Sequence, residues 1–279
     1  MHHQRSSIAA AFVAAIGIGA FASLAAAQDG ASKVSSPEDE IARYREMLQD
    51  GNPADLWIAR GEDLWKQKQG PRQASFEQCD LGLGPGVVKG AYVQLPRFFQ
   101  DTGKVQSLES RLLTCMVRLQ GYSETQASKN HFSSDGKQSD MEALVAYVAS
   151  ESDGMKINVP LSHPKEKEAY RIGEQAFFFR AGPHDFSCAT CHSQSGKRIR
   201  LQSLANLTDT TDAQKVYGTW PAYRVSQGTV RSTEYRLYDC LRQQRFPPVQ
   251  YGSELTTALT EYMARNANGG VFSAPGLKR

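Results

Sequence analysis

Cys188-Ala189-Thr190-Cys191-His192 is the stretch of this sequence whose reading decides the fold. A C-x-x-C pair followed at once by histidine puts two thiols and an imidazole on one turn. That arrangement forms thioethers to the vinyl groups of a haem and offers a nitrogen to its iron. The competing use of C-x-x-C, a thioredoxin-like redox pair, needs a βαβ setting, and the flanking residues show none. Cys188 and Cys191 therefore read as the covalent attachment points of one haem c, and His192 as its proximal iron ligand.

The N-terminus agrees with that chemistry, because haem is attached to cysteines outside the cytoplasm. His2, His3 and Arg5 precede an apolar run from Ile8 to Leu24, and Ala25-Ala26-Ala27 stands before Gln28. This pattern predicts a secretory signal peptide over residues 1–27, cut after Ala27, and a periplasmic mature protein. No later stretch is apolar enough to span a membrane. The 279 residues are 40% hydrophobic and carry a formal net charge of +3. Losing Arg5 leaves about +2, too near neutral to mark a nucleic-acid partner. After a Ser-rich lead-in over 28–36, Ser36-Pro37-Glu38-Asp39 reads as a helix start: a Ser cap, Pro at the first position and acids in the first turn. Ile41, Tyr44, Met47 and Leu48 follow at helical spacing.

The haem motif sits inside a repeat. Gly61-Glu-Asp-Leu-Trp65, Gly70-Pro71 and Phe76-Glu-Gln-Cys79-Asp80 lie over Gly173-Glu-Gln-Ala-Phe177, Gly182-Pro183 and Cys188-Ala-Thr-Cys191-His192, each step 112 residues apart. Arg111-Leu-Leu-Thr-Cys115 matches Arg236-Leu-Tyr-Asp-Cys240 at an offset of 125, and Ala143–Tyr147 matches Ala258–Tyr262 at 115. A long offset of this kind indicates domain duplication rather than a short-period solenoid. The fold expected is mainly α: two tandem cytochrome c-like domains, 37–155 and 160–279, made of helices joined by long loops. Phe76 stands where Cys188 is and Asp80 where His192 is, so the first domain is expected to lack haem. Its two cysteines, Cys79 and Cys115, are expected to close a disulfide across the site, stabilising that domain by roughly a few kcal/mol.

An electron-transfer cytochrome usually places a Met opposite the proximal His. Met263 is the one Met downstream of the motif, inside an apolar helix where its period suits core packing. His184 precedes the motif by only four residues, too close to reach the other face easily. Cys240 remains, and a thiolate is a good ligand for ferric iron. From His192 to Phe246 nine Lys and Arg face four acids, an excess expected to lower the pKa of Cys240 and to attract an anionic substrate. Arg236, four residues before Cys240, lies on its side of any helix.

These residues, above all Arg236-Leu-Tyr-Asp-Cys240-Leu-Arg-Gln-Gln-Arg-Phe-Pro247, together with the two cytochrome domains, resemble the SoxA family, the catalytic cytochrome subunits of bacterial thiosulfate oxidation. The resemblance covers essentially the whole mature chain. It departs at Phe76 and Asp80 from members with two haems and is closer to a single-haem branch with a disulfide in the lost haem's place. It implies that His192 and Cys240 are the two iron ligands. Cys240 is implied to be the catalytic residue, found in the family as a persulfide, and Arg236 to bind substrate. The implied activity is L-cysteine S-thiosulfotransferase, joining thiosulfate to a cysteine of the SoxYZ carrier protein. Electrons would pass to the haem of a SoxX partner subunit, in a heterodimer, and then to a soluble cytochrome c. The rival reading is a non-catalytic electron-transfer cytochrome with His192/Met263 ligation.

Overall fold

Serine hydroxyls open most of the helices. Ser36 accepts the amide of Asp39 at 3.1 Å and starts α1 (Pro37–Met47), as the sequence predicts. The structure, a computed structural model, describes residues 36–47, 51–132, 138–199 and 202–278. The signal peptide, most of the lead-in, Leu48 and Arg200 fall outside them. Residues 44–279 make up one compact unit, and the repeat read from the sequence recurs inside it.

The first half runs through α2 (Asp55–Lys66), a hairpin of β1 (Arg97–Phe99) and β2 (Lys104–Gln106), α3 (Leu108–Arg118), α4 (Glu124–Ala127) and α5 (Asp140–Ser150). The second runs through α6 (Pro164–Phe178), α7 (Cys188–His192), the small pair β3 (Arg198–Ile199) and β4 (Gln202–Ser203), and α8 (Thr210–Tyr217). The hairpin β5 (Ala222–Arg224) and β6 (Thr229–Arg231), then α9 (Thr233–Gln243), α10 (Glu254–Asn266) and β7 (Gly276–Lys278) complete it. The fold is mainly α as expected, and the short hairpins lie in what the sequence reads as long loops. β1–β2 and β5–β6 are both antiparallel, and β7 joins β5 in parallel. Strands of three residues are too short to show the period-two alternation that reveals a strand in a sequence. Their placement nonetheless obeys the repeat: β1, β2 and α3 lie 125 residues before β5, β6 and α9.

Each half is built on one helix crossing. α2 packs on α5 and α6 on α10, and glycine sets the approach in both. A methyl group on Gly61 would come within 2.1 Å of the Ala143 carbonyl oxygen, and one on Gly173 within 2.0 Å of that of Ala258. One turn on, Trp65 meets Tyr147 at 6.1 Å and Phe177 meets Tyr262 at 5.1 Å between ring centroids. These are the residues that the two offsets bring into register. The turn after each first helix also recurs, Gln69 bridging to Ala74 and Ala181 to Phe186.

The halves share a continuous core. Tyr92 and Phe272 pack at 5.0 Å, Phe98 stacks on His163 at 3.7 Å, and the buried Arg231 Nη1 lies 2.9 Å from Glu142. In the first half Cys79 and Cys115 are joined by a disulfide, Cα atoms 5.8 Å apart. Phe76 is 1% exposed and stacks on Trp65 at 5.7 Å. The Asp80 carboxylate accepts the amides of Gly82 and Gly84 at 2.6 and 3.0 Å, while its carbonyl accepts Arg111 Nε at 2.6 Å.

Candidate functional site

α7 is a single turn locked at its start: the Ser187 hydroxyl accepts the Thr190 amide at 3.1 Å and the Thr190 hydroxyl accepts the Ser187 amide at 2.9 Å. This reciprocal cap holds Cys188, Cys191 and His192 on one small element. Both cysteines are free thiols. His192 Nδ1 lies 3.0 Å from the Ala205 carbonyl oxygen. Donating there fixes the tautomer and leaves Nε2 as the acceptor, the arrangement that orients an imidazole toward a metal. Burial, aided by the charge of Arg236 and opposed by the Ala205 contact, pushes the pKa of His192 down, so the ring stays neutral.

α9 brings the second cluster to the same place. Ser232 caps it, accepting the Tyr235 amide at 3.1 Å, and Arg236 and Cys240 follow one turn apart. Cys188, Cys191, His192, Arg236 and Cys240 line one cleft, closed by Phe186, Ile199, Leu204, Leu241 and Phe246. Cys188, Leu241 and Phe246 are shared with an adjoining apolar cavity of about 490 Å³, whose other walls include Ile172, Ala176, Phe179, Pro247, Leu255 and Leu259. Ile172, Phe179, Phe186, Ile199 and Leu255 are large apolar side chains left exposed around it, more than an ordinary surface clusters in one spot. Two thiols, a neutral imidazole and an apolar slot fit a covalently held haem c. Met263, by contrast, is 8% exposed within the core and does not line the cleft, and His184 lies in an exposed turn.

The electrostatic expectation for Cys240 needs correction. Among the protein groups, burial has the largest effect and pushes the Cys240 thiol up; Cys191 and Asp239 add to this, and Arg236 is the cation that opposes it. The basic excess counted in sequence does not converge on the sulfur. Arg242 is turned to Asp239 at 2.9 Å, and Arg231 to Glu142. Burial likewise pushes Cys188 up to about 12, with Cys240 and Cys191 contributing. A metal ion beside such a thiol overrides this order by binding the thiolate.

Sequence reasoning passed over two residues here. Asp239, 8% exposed at its side chain, takes Arg242 at 2.9 Å, Gln243 at 2.7 Å and Arg236 at 3.4 Å. Its i, i+3 and i, i+4 spacing to those donors was the available signal. Arg224, at the end of β5, is half-buried; its Nε is buried without a hydrogen-bond partner, and its charge and that of Arg236 oppose each other. No spacing rule links positions 224 and 236.

The first half carries the counterpart of the apolar cavity. A space of about 340 Å³ is lined by Leu64, Gln69, Phe76, Met116, Asp140 and Leu144, which correspond through the repeat to Ala176, Ala181, Cys188, Leu241, Leu255 and Leu259. Gln126, Lys129, Asn130, His131 and Gln138 add a polar side.

Residues 60–157 and 172–272 each match the family described as SoxA/TsdA, cytochrome c domain. The chain is 53% identical to the L-cysteine S-thiosulfotransferase subunit SoxA of Hydrogenophilus thermoluteolus, over 88% of this chain and 92% of that one. It is 34% identical to the protein of the same name from Hydrogenobacter thermophilus, over 88% and 90%. Its fold is similar to a crystal structure of SoxXA from P. pantotrophus, with a TM-score of 0.69 and 23% identity over 85% of this chain and 84% of that one. Both halves thus carry the cytochrome c domain of that family, whose cofactor is covalently bound haem c, and the chain belongs to the SoxA family.

Proposed function

We propose that this chain is an L-cysteine S-thiosulfotransferase subunit that joins thiosulfate to a cysteine of the SoxYZ carrier protein. The observation that carries the proposal is one cleft shared by Cys240 and Arg236 of α9 with Cys188, Cys191 and His192 of α7. A carrier thiol and thiosulfate give carrier–S–S–SO₃⁻, one proton and two electrons. Cys240 divides this into two steps, the logic of covalent catalysis. The Cys240 sulfur first bonds the sulfane sulfur of thiosulfate, with loss of two electrons. The carrier thiolate then attacks that sulfane sulfur and displaces the Cys240 thiolate, an exchange at a disulfide-like bond. A persulfide at Cys240 would place the same chemistry one sulfur further out. Arg236 offers planar paired donors to the sulfonate oxygens and so orients the sulfane end.

Cys188 and Cys191 would hold one haem c, with His192 and Cys240 as its iron ligands, and the two electrons would pass singly to the haem of SoxX. SoxX is the heterodimeric partner, a soluble cytochrome c the final acceptor, and the periplasm the compartment. The two cytochrome domains comprise residues 37–155, haem-free, and 160–279. Among the described residues no helix is long and apolar enough to cross a membrane.

Cys240→Ala in the haem-loaded heterodimer tests the reading. The covalent haem spectrum is expected to remain and carrier-dependent reduction of cytochrome c by thiosulfate to vanish. Full turnover in that variant would end the proposal.

A further inference from the structure

The repeat sets one arginine in two different surroundings. Arg111 and Arg236 occupy the same position of α3 and α9, and through the hairpin register Phe99 of β1 corresponds to Arg224 of β5. Arg111 is engaged by the fold through its ring contact, its Nε and its Nη1. Its guanidinium lies 4.1 Å over the Phe99 ring, its Nη1 donates to both Asp101 carboxylate oxygens at 2.9 Å, and its Nε donates to the Asp80 carbonyl. Arg236 has the 3.4 Å contact with Asp239, an acid already held more closely by Arg242 and Gln243, and its side chain is 39% exposed. Where the first half supplies an aromatic face, the second supplies a like charge.

Such a juxtaposition is unfavourable by itself. Two guanidinium groups repel in a partly desolvated place, and the Arg224 Nε is a buried donor without an acceptor. The third arginine nearby is engaged: Arg231 lies 3.9 Å over the Tyr235 ring and bonds Glu142 and Gln227. The charge of Arg236 acts on both Cys240 and Arg224. A small oxyanion relieves both costs, since it accepts the orphaned N–H and neutralises the facing charges.

We propose that Arg224 is a second substrate-binding residue, which together with Arg236 takes the sulfonate oxygens of thiosulfate and leaves its sulfane sulfur directed at Cys240. This rests on the thiosulfotransferase reading above. Three variants test it in the haem-loaded heterodimer, by turnover with excess carrier protein and by calorimetric titration with thiosulfate alone. Arg224→Gln is expected to raise both KM and Kd for thiosulfate about tenfold or more, the scale of a lost charge-assisted hydrogen bond. Its kcat should stay within about twofold, the signature of lost uniform binding. Arg224→Lys is expected to recover part of the affinity. Arg224→Phe installs the first half's residue beside Arg236, so it should weaken thiosulfate binding while the melting temperature holds or rises.

Thiosulfate KM and Kd within about twofold of the parent in all three variants would overturn the inference. So would a fall in kcat at constant KM. Cys240→Ala run alongside separates the two claims. If it is inactive and the Arg224 variants bind normally, Arg224 alone is misassigned. If it turns over normally, the thiosulfotransferase reading falls, and the calorimetric arm still judges Arg224 as an oxyanion ligand.

Discussion

Arg236 and its double in the first half show how one residue type is put to structural or chemical use by its neighbours. Arg111 commits its Nε, its Nη1 and its planar face to the fold; Arg236 keeps most of its fork unclaimed. Arg236→Ala is accordingly expected to lower kcat/KM for thiosulfate by about tenfold or more while leaving the melting temperature nearly unchanged. The equivalent Arg111→Ala should unfold the protein at a clearly lower temperature, because it removes a buried side chain, strands the Asp80 carbonyl and leaves Asp101 with Arg118 as its partner. Equal effects of the two on melting would contradict this division. A second residue-scale prediction concerns Glu261, which is fully buried with neither carboxylate oxygen hydrogen-bonded. Burial first, then Glu166, raises its pKa to about 9, against Arg265. The folded protein therefore holds a proton that the unfolded chain releases above about pH 4.5, and stability falls as pH rises from there through about 9. Glu261→Gln should flatten that alkaline slope in pH-dependent melting; an unchanged slope would show that Glu261 is not its source.

The paired helices carry the next prediction. Gly61 and Gly173 each lie against a carbonyl of the opposing helix, so an added methyl must force α2 from α5, or α6 from α10. Either glycine replaced by alanine is expected to cost about 2 kcal/mol or more, read from denaturant midpoints. At this scale the sequence was partly legible. The Ser36 cap located α1 and the 112-residue register located α2, α6 and α7, because capping and turn chemistry are local. The R-L-x-x-C match located α3 and α9 with the spacing the structure shows. The hairpins before those helices were invisible, since a three-residue strand owes its existence to its partner. The site divides in the same way. Cys188, Cys191, His192, Arg236 and Cys240 could be named from motifs, whereas Arg224 matters only through a strand-to-helix approach. The apolar walls from Ile172 to Leu259 come from four separate elements. The expected charge effect on Cys240 failed for the same reason: counting cations along a chain says nothing of which ones Asp239 and Glu142 have already engaged.

For the molecule as a whole, the Cys79–Cys115 disulfide closes a loop of 36 residues in sequence separation. Opening it is expected to cost about 3–4 kcal/mol by loop entropy, a sizeable part of the roughly 5–15 kcal/mol that holds a domain folded. Because both halves share one core, Cys79→Ser with Cys115→Ser should lower a single melting transition, monitored by circular dichroism, rather than release the first half alone. Two separate transitions would overturn the shared-core reading. The cavity of about 340 Å³ beside Phe76 has a further consequence for how such a chain can change over time. On the single-haem reading, the first half has refilled its former cofactor site with working parts: Phe76 against Trp65, Cys79 bonded to Cys115, and Arg111 on the backbone of Asp80. Restoring C-x-x-C-H there needs Phe76→Cys and Asp80→His, and also a freed Cys79. Each single step toward that state gives up a packing or bonding contact and gains no cofactor. If one haem is all the chain carries, the loss of the first would behave as a ratchet, with no gradual route back.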